Sequence, residues 1–129
     1  MIVVDANIIA YLLIRGEHSE SVDELQKSDE VWIAPGLWLD EFLNILCTYE
    51  RNKQLTAQQS VSILQDALIL MDGNSYDLPP ERVLSVARRT GCSAYDSQYI
   101  ALAEDLGTML YTFDKRILRA CKELATRPN

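Results

Sequence analysis

The β-branched run Ile2-Val3-Val4 ends at Asp5, and a second apolar stretch, IIAYLLI, begins at Ile8. No other stretch constrains the fold as much. A short, wholly apolar run is the pattern of a strand buried on both faces, as parallel strands are. An acid at its end stands at the carboxyl edge of a sheet, where open α/β folds take their ligands. The following residues, about 7–15, are apolar nearly all round and read as a well-buried helix.

The rest of the chain alternates in the same way. A polar break at 17–20 follows Gly16 and contains His18, and Ser19 is placed to cap a short helix over about 20–27. VWIA at 31–34 is a second strand, after which Pro35-Gly36 open a long helix to about Asn52. Thr56 is placed to cap a helix over about 57–71, and residues 72–75 carry turn chemistry. Residues 76–78 suit a short strand. Pro79-Pro80 begin a helix to about Thr90, with Gly91 as its terminator. Ser93 opens a helix over 94–106 that Gly107 ends, TMLYTF at 108–113 is a strand, and Asp114 begins a last helix to about Leu124. Strands alternating with helices imply parallel strands joined by right-handed crossovers. The expected fold is α/β, a three-layer α/β/α sandwich around a mostly parallel sheet of four to five strands. With 129 residues, no internal repeat and no linker, the chain is expected to be a single domain over 1–129.

Composition narrows the setting. Cys47, Cys92 and Cys121 are odd in number and widely spaced, with no CxxC, so they argue against a zinc site or a disulfide framework. Reduced thiols point to an intracellular protein. The apolar start lacks a basic leader and is interrupted by Asp5, and no run approaches the roughly 18 residues of a membrane span. A cytoplasmic protein without membrane attachment is expected. Net charge is −7, unevenly spread: residues 1–50 hold ten acids against Arg15 and Lys27, whereas 51–129 hold nine acids against ten basic residues. Such a surface argues against nucleic-acid binding by bulk charge; it would need local basic patches and bound cations.

Of nineteen acids, a few are forced toward one place. Asp5 and Asp114 each follow a strand, and adjacent strands lie about 4.8 Å apart. If the two strands are neighbours, both carboxylates face one crevice. Each also suits a helix cap, and a capping acid can still offer an oxygen outward. Asp96 sits three residues after Ser93, the spacing of a capping box, with Ile100 and Ala103 on its helical face. Asp40 and Glu41 are adjacent on one helix and point about 100° apart. Leu37 and Ile45 flank Glu41, so it is the better inward candidate, although a boundary residue would look the same. Carboxylates about 4 Å apart repel by roughly 4 kcal/mol at an effective dielectric of about 20. A cluster therefore raises pKa values or calls for a cation. All-oxygen donors select hard ions such as Mg²⁺ or Mn²⁺.

With Asp5, Glu41, Asp96 and Asp114 in view, the chain resembles the PIN-domain ribonucleases, especially the small VapC-type toxins of toxin–antitoxin pairs. The resemblance covers nearly the whole chain. It rests on VVDANIIAYLL at the start, APGLWLDEFLNIL around Glu41, and YDSQYIALAEDLGTMLYTFDKRIL, which carries two of the acids. It implies about five parallel strands with the first and fourth adjacent at the centre. It implies further that Asp5, Glu41, Asp96 and Asp114 bind one or two Mg²⁺ or Mn²⁺ ions, whose bound water attacks RNA in line. The expected products are a 5′-phosphate and a 3′-hydroxyl, with no covalent enzyme intermediate. Asn7 and Thr112 match positions where the family has a small polar residue ordering acids or water. An RNA substrate, a cognate antitoxin and a homodimer are the implied partners. One departure is the ending ATRPN, which leaves the fifth strand very short or missing.

Lys115, Arg116, Arg119 and Lys122 on the last helix, with Arg88 and Arg89 elsewhere, suit either phosphate contacts or a solvated face. Arg15 suits a phosphate contact or a pair with Glu17, and His18 is assigned no catalytic role. Trp38, Phe42, Tyr49 and the apolar residues of 61–71 are mostly core, with some available for an exposed groove that takes another subunit or an antitoxin peptide. The rival to a nuclease is a non-catalytic PIN-like module that binds RNA or protein, and Mn²⁺ titration by calorimetry discriminates the two. A haloacid-type phosphatase would want an acid at position 7, which is Asn7 here. A phospho-receiver would want paired acids at the first strand.

Overall fold

The computed structural model describes residues 1–129. In chain order the elements are β1 (Ile2–Val4), α1 (Ala6–Leu13), α2 (Ser19–Ser28), β2 (Trp32–Pro35), α3 (Trp38–Arg51) and α4 (Ala57–Leu70). They continue with β3 (Ser75–Tyr76), α5 (Pro80–Thr90), α6 (Ala94–Leu106), β4 (Leu110–Tyr111), α7 (Lys115–Ala120) and β5 (Ala125–Thr126). All strand pairs are parallel, in the order β3-β2-β1-β4-β5. The buried run at the start of the chain is thus the central strand, with Val3 and Val4 fully out of solvent.

From β1 the chain steps outward through β2 to β3, crosses back to β4 and steps the other way to β5. Right-handed crossovers put the outward helices on one face and the returning helices on the other. The packing agrees. α1 lies against α2, α3 and α4, whereas α5 lies against α6, and α6 runs along β1, β2 and β4. Tyr99, Ile100, Leu102 and the small residues Ala101 and Ala103 are all buried on α6, which lets this helix press close on the sheet. One apolar cluster, including Trp32, Phe42, Ile100, Leu110 and Ile117, ties the strands to helices of both layers.

Strands and helices alternate as expected, with two late boundaries shifted. The strand expected over 108–113 is assigned only at Leu110–Tyr111, and the last helix stops at Ala120 rather than Leu124. After Cys121 the chain turns back to satisfy the free edge of β4, where the Leu110 and Thr112 N–H groups donate to the Leu124 and Thr126 carbonyls at 2.9 and 3.0 Å. The fifth strand is therefore present and two residues long. Helix α2 begins one residue earlier than expected, with His18 as its cap residue. The Ser19 hydroxyl accepts from the Gly16 N–H at 2.8 Å instead of capping the helix. No helix is long and apolar enough to cross a membrane.

Candidate functional site

The point where the strand order reverses lies between β1 and β4, and open sheets of this kind form a crevice there at the carboxyl ends. Asp5 leaves β1 directly, and Asp114 follows β4 by three residues. Both also cap helices. Asp5 accepts from the Ile8 N–H at 3.0 Å at the start of α1. One oxygen of Asp114 accepts from the Arg116 and Ile117 N–H groups at 2.8 and 3.2 Å at the start of α7. Capping and convergence thus coexist. Glu41 stands in the first turn of α3 and Asp96 in the first turn of α6. The Ser93 hydroxyl caps the Asp96 N–H at 3.0 Å.

An open hollow of about 620 Å³ gathers all four acids: Asp5, Glu41, Asp96 and Asp114 line it together with Asn7, Asp40 and Asn44. Its apolar wall includes Leu37 and Ile45, the two residues that flank Glu41 on its helical face. Asp40 reaches the rim as well, but it is exposed, whereas Glu41 is half-buried.

Two hydroxyls hold the acids in place. Thr112 is fully buried and donates to the second oxygen of Asp5 at 2.5 Å while accepting from the Asp114 N–H at 2.9 Å. A single side chain thereby couples the acids at the ends of β1 and β4. On the other side Tyr99, buried in α6, donates to Glu41 Oε1 at 2.6 Å. Tyr99 was missed in the sequence. Its position three residues after Asp96 put it on the same helical face, but an apolar ring there reads as core, and nothing local marks its hydroxyl's partner.

Crowding and burial show in the charges. Burial pushes the Asp5 carboxyl up to about 6, with Glu41 and Asp114 adding to the rise and the Thr112 and Ile8 bonds opposing it. Burial also raises Glu41, helped by Asp96 and opposed by the Tyr99 hydroxyl. Asp96 is raised by burial and by Asp114, against the pull of Ser93 and Arg116. A cation would relieve all three. The donor set is entirely oxygen, which suits Mg²⁺ or Mn²⁺. No group of three His, Cys, Asp or Glu side chains is drawn in close enough to hold an ion by itself. Mg²⁺ typically takes one or two carboxylates and completes its shell with water, so the residues present fit a largely hydrated ion.

The basic residues divide. Arg15 forms a two-pronged pair with Asp23 at 3.0 and 2.6 Å, not with Glu17. Arg89 is held by both oxygens of Glu104 at 2.7 Å. Lys115 and Arg116 are exposed beside Asp114, and Arg119 lines a separate hollow with Lys122. His18 stacks on Phe113 with ring centroids 4.2 Å apart and lies outside the acid hollow. Trp38 and Phe42 are core, whereas Val61, Leu68 and Ile69 of α4 are exposed.

Comparison with known proteins agrees with this architecture. Ribonuclease VapC3 of Pyrobaculum aerophilum is 27% identical over 128 residues, covering 97% of this chain and 98% of that protein. The crystal structure of PAE2754 from Pyrobaculum aerophilum superposes with a TM-score of 0.72 at 25% identity, over 97% of this chain and 88% of that one. FitAcB from Neisseria gonorrhoeae shares the fold with the same TM-score at 20% identity, over 99% of this chain and 98% of that one. The family model of the PIN domain matches residues 2–123. The sheet order, the acid-lined crevice and this match lead to one conclusion: the chain belongs to the PIN domain family.

Proposed function

We propose that this chain is a metal-dependent endoribonuclease, the toxin of a VapBC-type toxin–antitoxin pair, acting as a single nuclease domain. The observation that carries the reading is the meeting of four carboxylates from four separate helix starts on one hollow. The similarity to Ribonuclease VapC3 supports RNA as the substrate.

In this reading Asp5, Glu41, Asp96 and Asp114 hold one or two Mg²⁺ or Mn²⁺ ions. When bound, such an ion supplies a Lewis acid for the phosphate and makes a water a stronger nucleophile. The remaining work falls to the chain. Thr112 fixes one Asp5 oxygen and ties it to the Asp114 backbone, and Tyr99 holds one Glu41 oxygen so that the other is free for the hollow. Asn7 offers an amide at the rim. Lys115, Arg116 and Arg119 offset the acidic surface where a phosphate backbone approaches, and Arg15 does so only by giving up Asp23. The exposed Val61, Leu68 and Ile69 on α4 suit a protein partner, either a cognate antitoxin or a second copy in a homodimer. The setting is cytoplasmic, where RNA and antitoxin are found.

The test is incubation of purified protein with total cellular RNA and Mg²⁺ or Mn²⁺, followed by mapping of the cleaved ends. Cleavage leaving 5′-phosphates is expected for the wild type, and none for Asp5→Ala, Asp96→Ala or the chelated enzyme. Undiminished metal-dependent cutting by both variants would refute the assignment.

A further inference from the structure

The acid hollow is larger than an ion requires. Six waters around Mg²⁺ occupy about 180 Å³ at roughly 30 Å³ each, against a hollow of about 620 Å³. The surplus has a distinct chemical character. The cap residue Leu37 and one face of α3 with Glu41, Asn44 and Ile45 are spaced so that the carboxylate is bracketed by two apolar side chains and an amide. Tyr95, the residue before Asp96 on α6, lines the same hollow. The residue is 66% exposed, so its ring face is open to a ligand. The aromatic pairs of this chain, Tyr11–His18–Phe113 and Trp38–Phe42, lie elsewhere, so no other ring covers Tyr95.

We infer that Tyr95, with Ile45 and Asn44, forms a subsite for one unpaired nucleobase flanking the scissile phosphate. This rests on the nuclease reading and adds to it the residues that hold the base beside the cut. An exposed aromatic ring stacks any base, and such a contact is tolerant of sequence. Ile45, next to Asn44, gives the base an apolar contact. The Asn44 amide offers one donor pair and one acceptor to a base edge, so it is the residue placed to discriminate between bases. A base inside a duplex presents no free face, so paired RNA cannot use the subsite.

The test begins with a short single-stranded RNA spanning the strongest mapped cleavage site. It is prepared intact and as a series with one abasic position each. Wild type, Tyr95→Phe and Tyr95→Ala are compared by kcat/KM, with thermal unfolding as the control for folding. Tyr95→Ala is expected to lose about ten-fold on intact RNA, mainly through KM, while Tyr95→Phe keeps the wild-type value. At one abasic position next to the cut, wild type and Tyr95→Ala should become equal. If Tyr95→Ala cuts intact RNA like the wild type, or loses equally at every abasic position, the subsite is overturned while the nuclease reading stands. If the wild type cuts no RNA, the nuclease reading falls and the subsite falls with it.

Discussion

Asp5 is the most strongly perturbed of the four acids. The residue is 8% exposed, and burial pushes its carboxyl up to about 6 by disfavouring the charge. The native state therefore holds this proton more tightly than the unfolded chain, and stability falls as pH rises from about 4 to about 6. A shift of about two pH units corresponds to about 3 kcal/mol of cost, present in full above pH 6 and absent below about pH 4. Asp5→Asn is thus expected to be inactive yet more stable at pH 7.5 by up to about 3 kcal/mol. Urea unfolding of both proteins at pH 7.5 and pH 4 checks this, and the gap should close at the lower pH. Thr112→Val should act in the opposite sense. It removes the donor to Asp5 and leaves the Asp114 N–H without its acceptor, at a cost of about 1–3 kcal/mol. The same unfolding experiment reads it.

Helix starts organise the site at the scale of elements. Asp5 and Asp114 cap α1 and α7, and Glu41 and Asp96 lie in the first turns of α3 and α6. The positive end of a helix dipole stabilises a nearby anion by about 0.3–1 kcal/mol. That term partly offsets crowding and keeps ionised carboxylates available. Helix α4 has no such duty. Thr56 and Gln59 form a reciprocal capping box at its start, with bonds of 2.8 and 3.1 Å. Thr56→Ala is expected to lower stability by about 1 kcal/mol while leaving RNA cleavage intact, which separates structural caps from caps with a second role.

Over the whole molecule, ion binding and folding should be linked. The acids repel one another when no cation lies between them, and a cation that binds only the native state stabilises it by mass action. Mn²⁺ is expected to raise the unfolding midpoint at pH 7.5 and to do so much less at pH 5, where a proton competes for Asp5. Differential scanning calorimetry with and without Mn²⁺ measures both. The net charge of −7 makes a second expectation. With few unpaired basic residues near the hollow, RNA affinity should fall only shallowly with added salt, as a small number of phosphate contacts requires.

Much of this is legible in the sequence. The apolar run ending at Asp5, the terminators Gly91 and Gly107, and the caps Thr56 and Ser93 are local signals, and local chemistry sets where elements begin and end. The class of sheet followed from their alternation, and the family from three segments in order. Residue chemistry also marked Glu41 over Asp40, because its flanks four residues away are apolar. Other features depended on partners distant in sequence. The Tyr99 hydroxyl meets Glu41 across 58 positions, and Thr112 meets Asp5 across 107. The length of α7 was decided by the free edge of β4, which drew the chain into β5. Arg15 found Asp23 rather than Glu17 because α2 presents that carboxylate to it. A sequence specifies which groups want partners. Only the folded chain brings particular partners within bonding distance, because that depends on how strands and helices pack, not on their order.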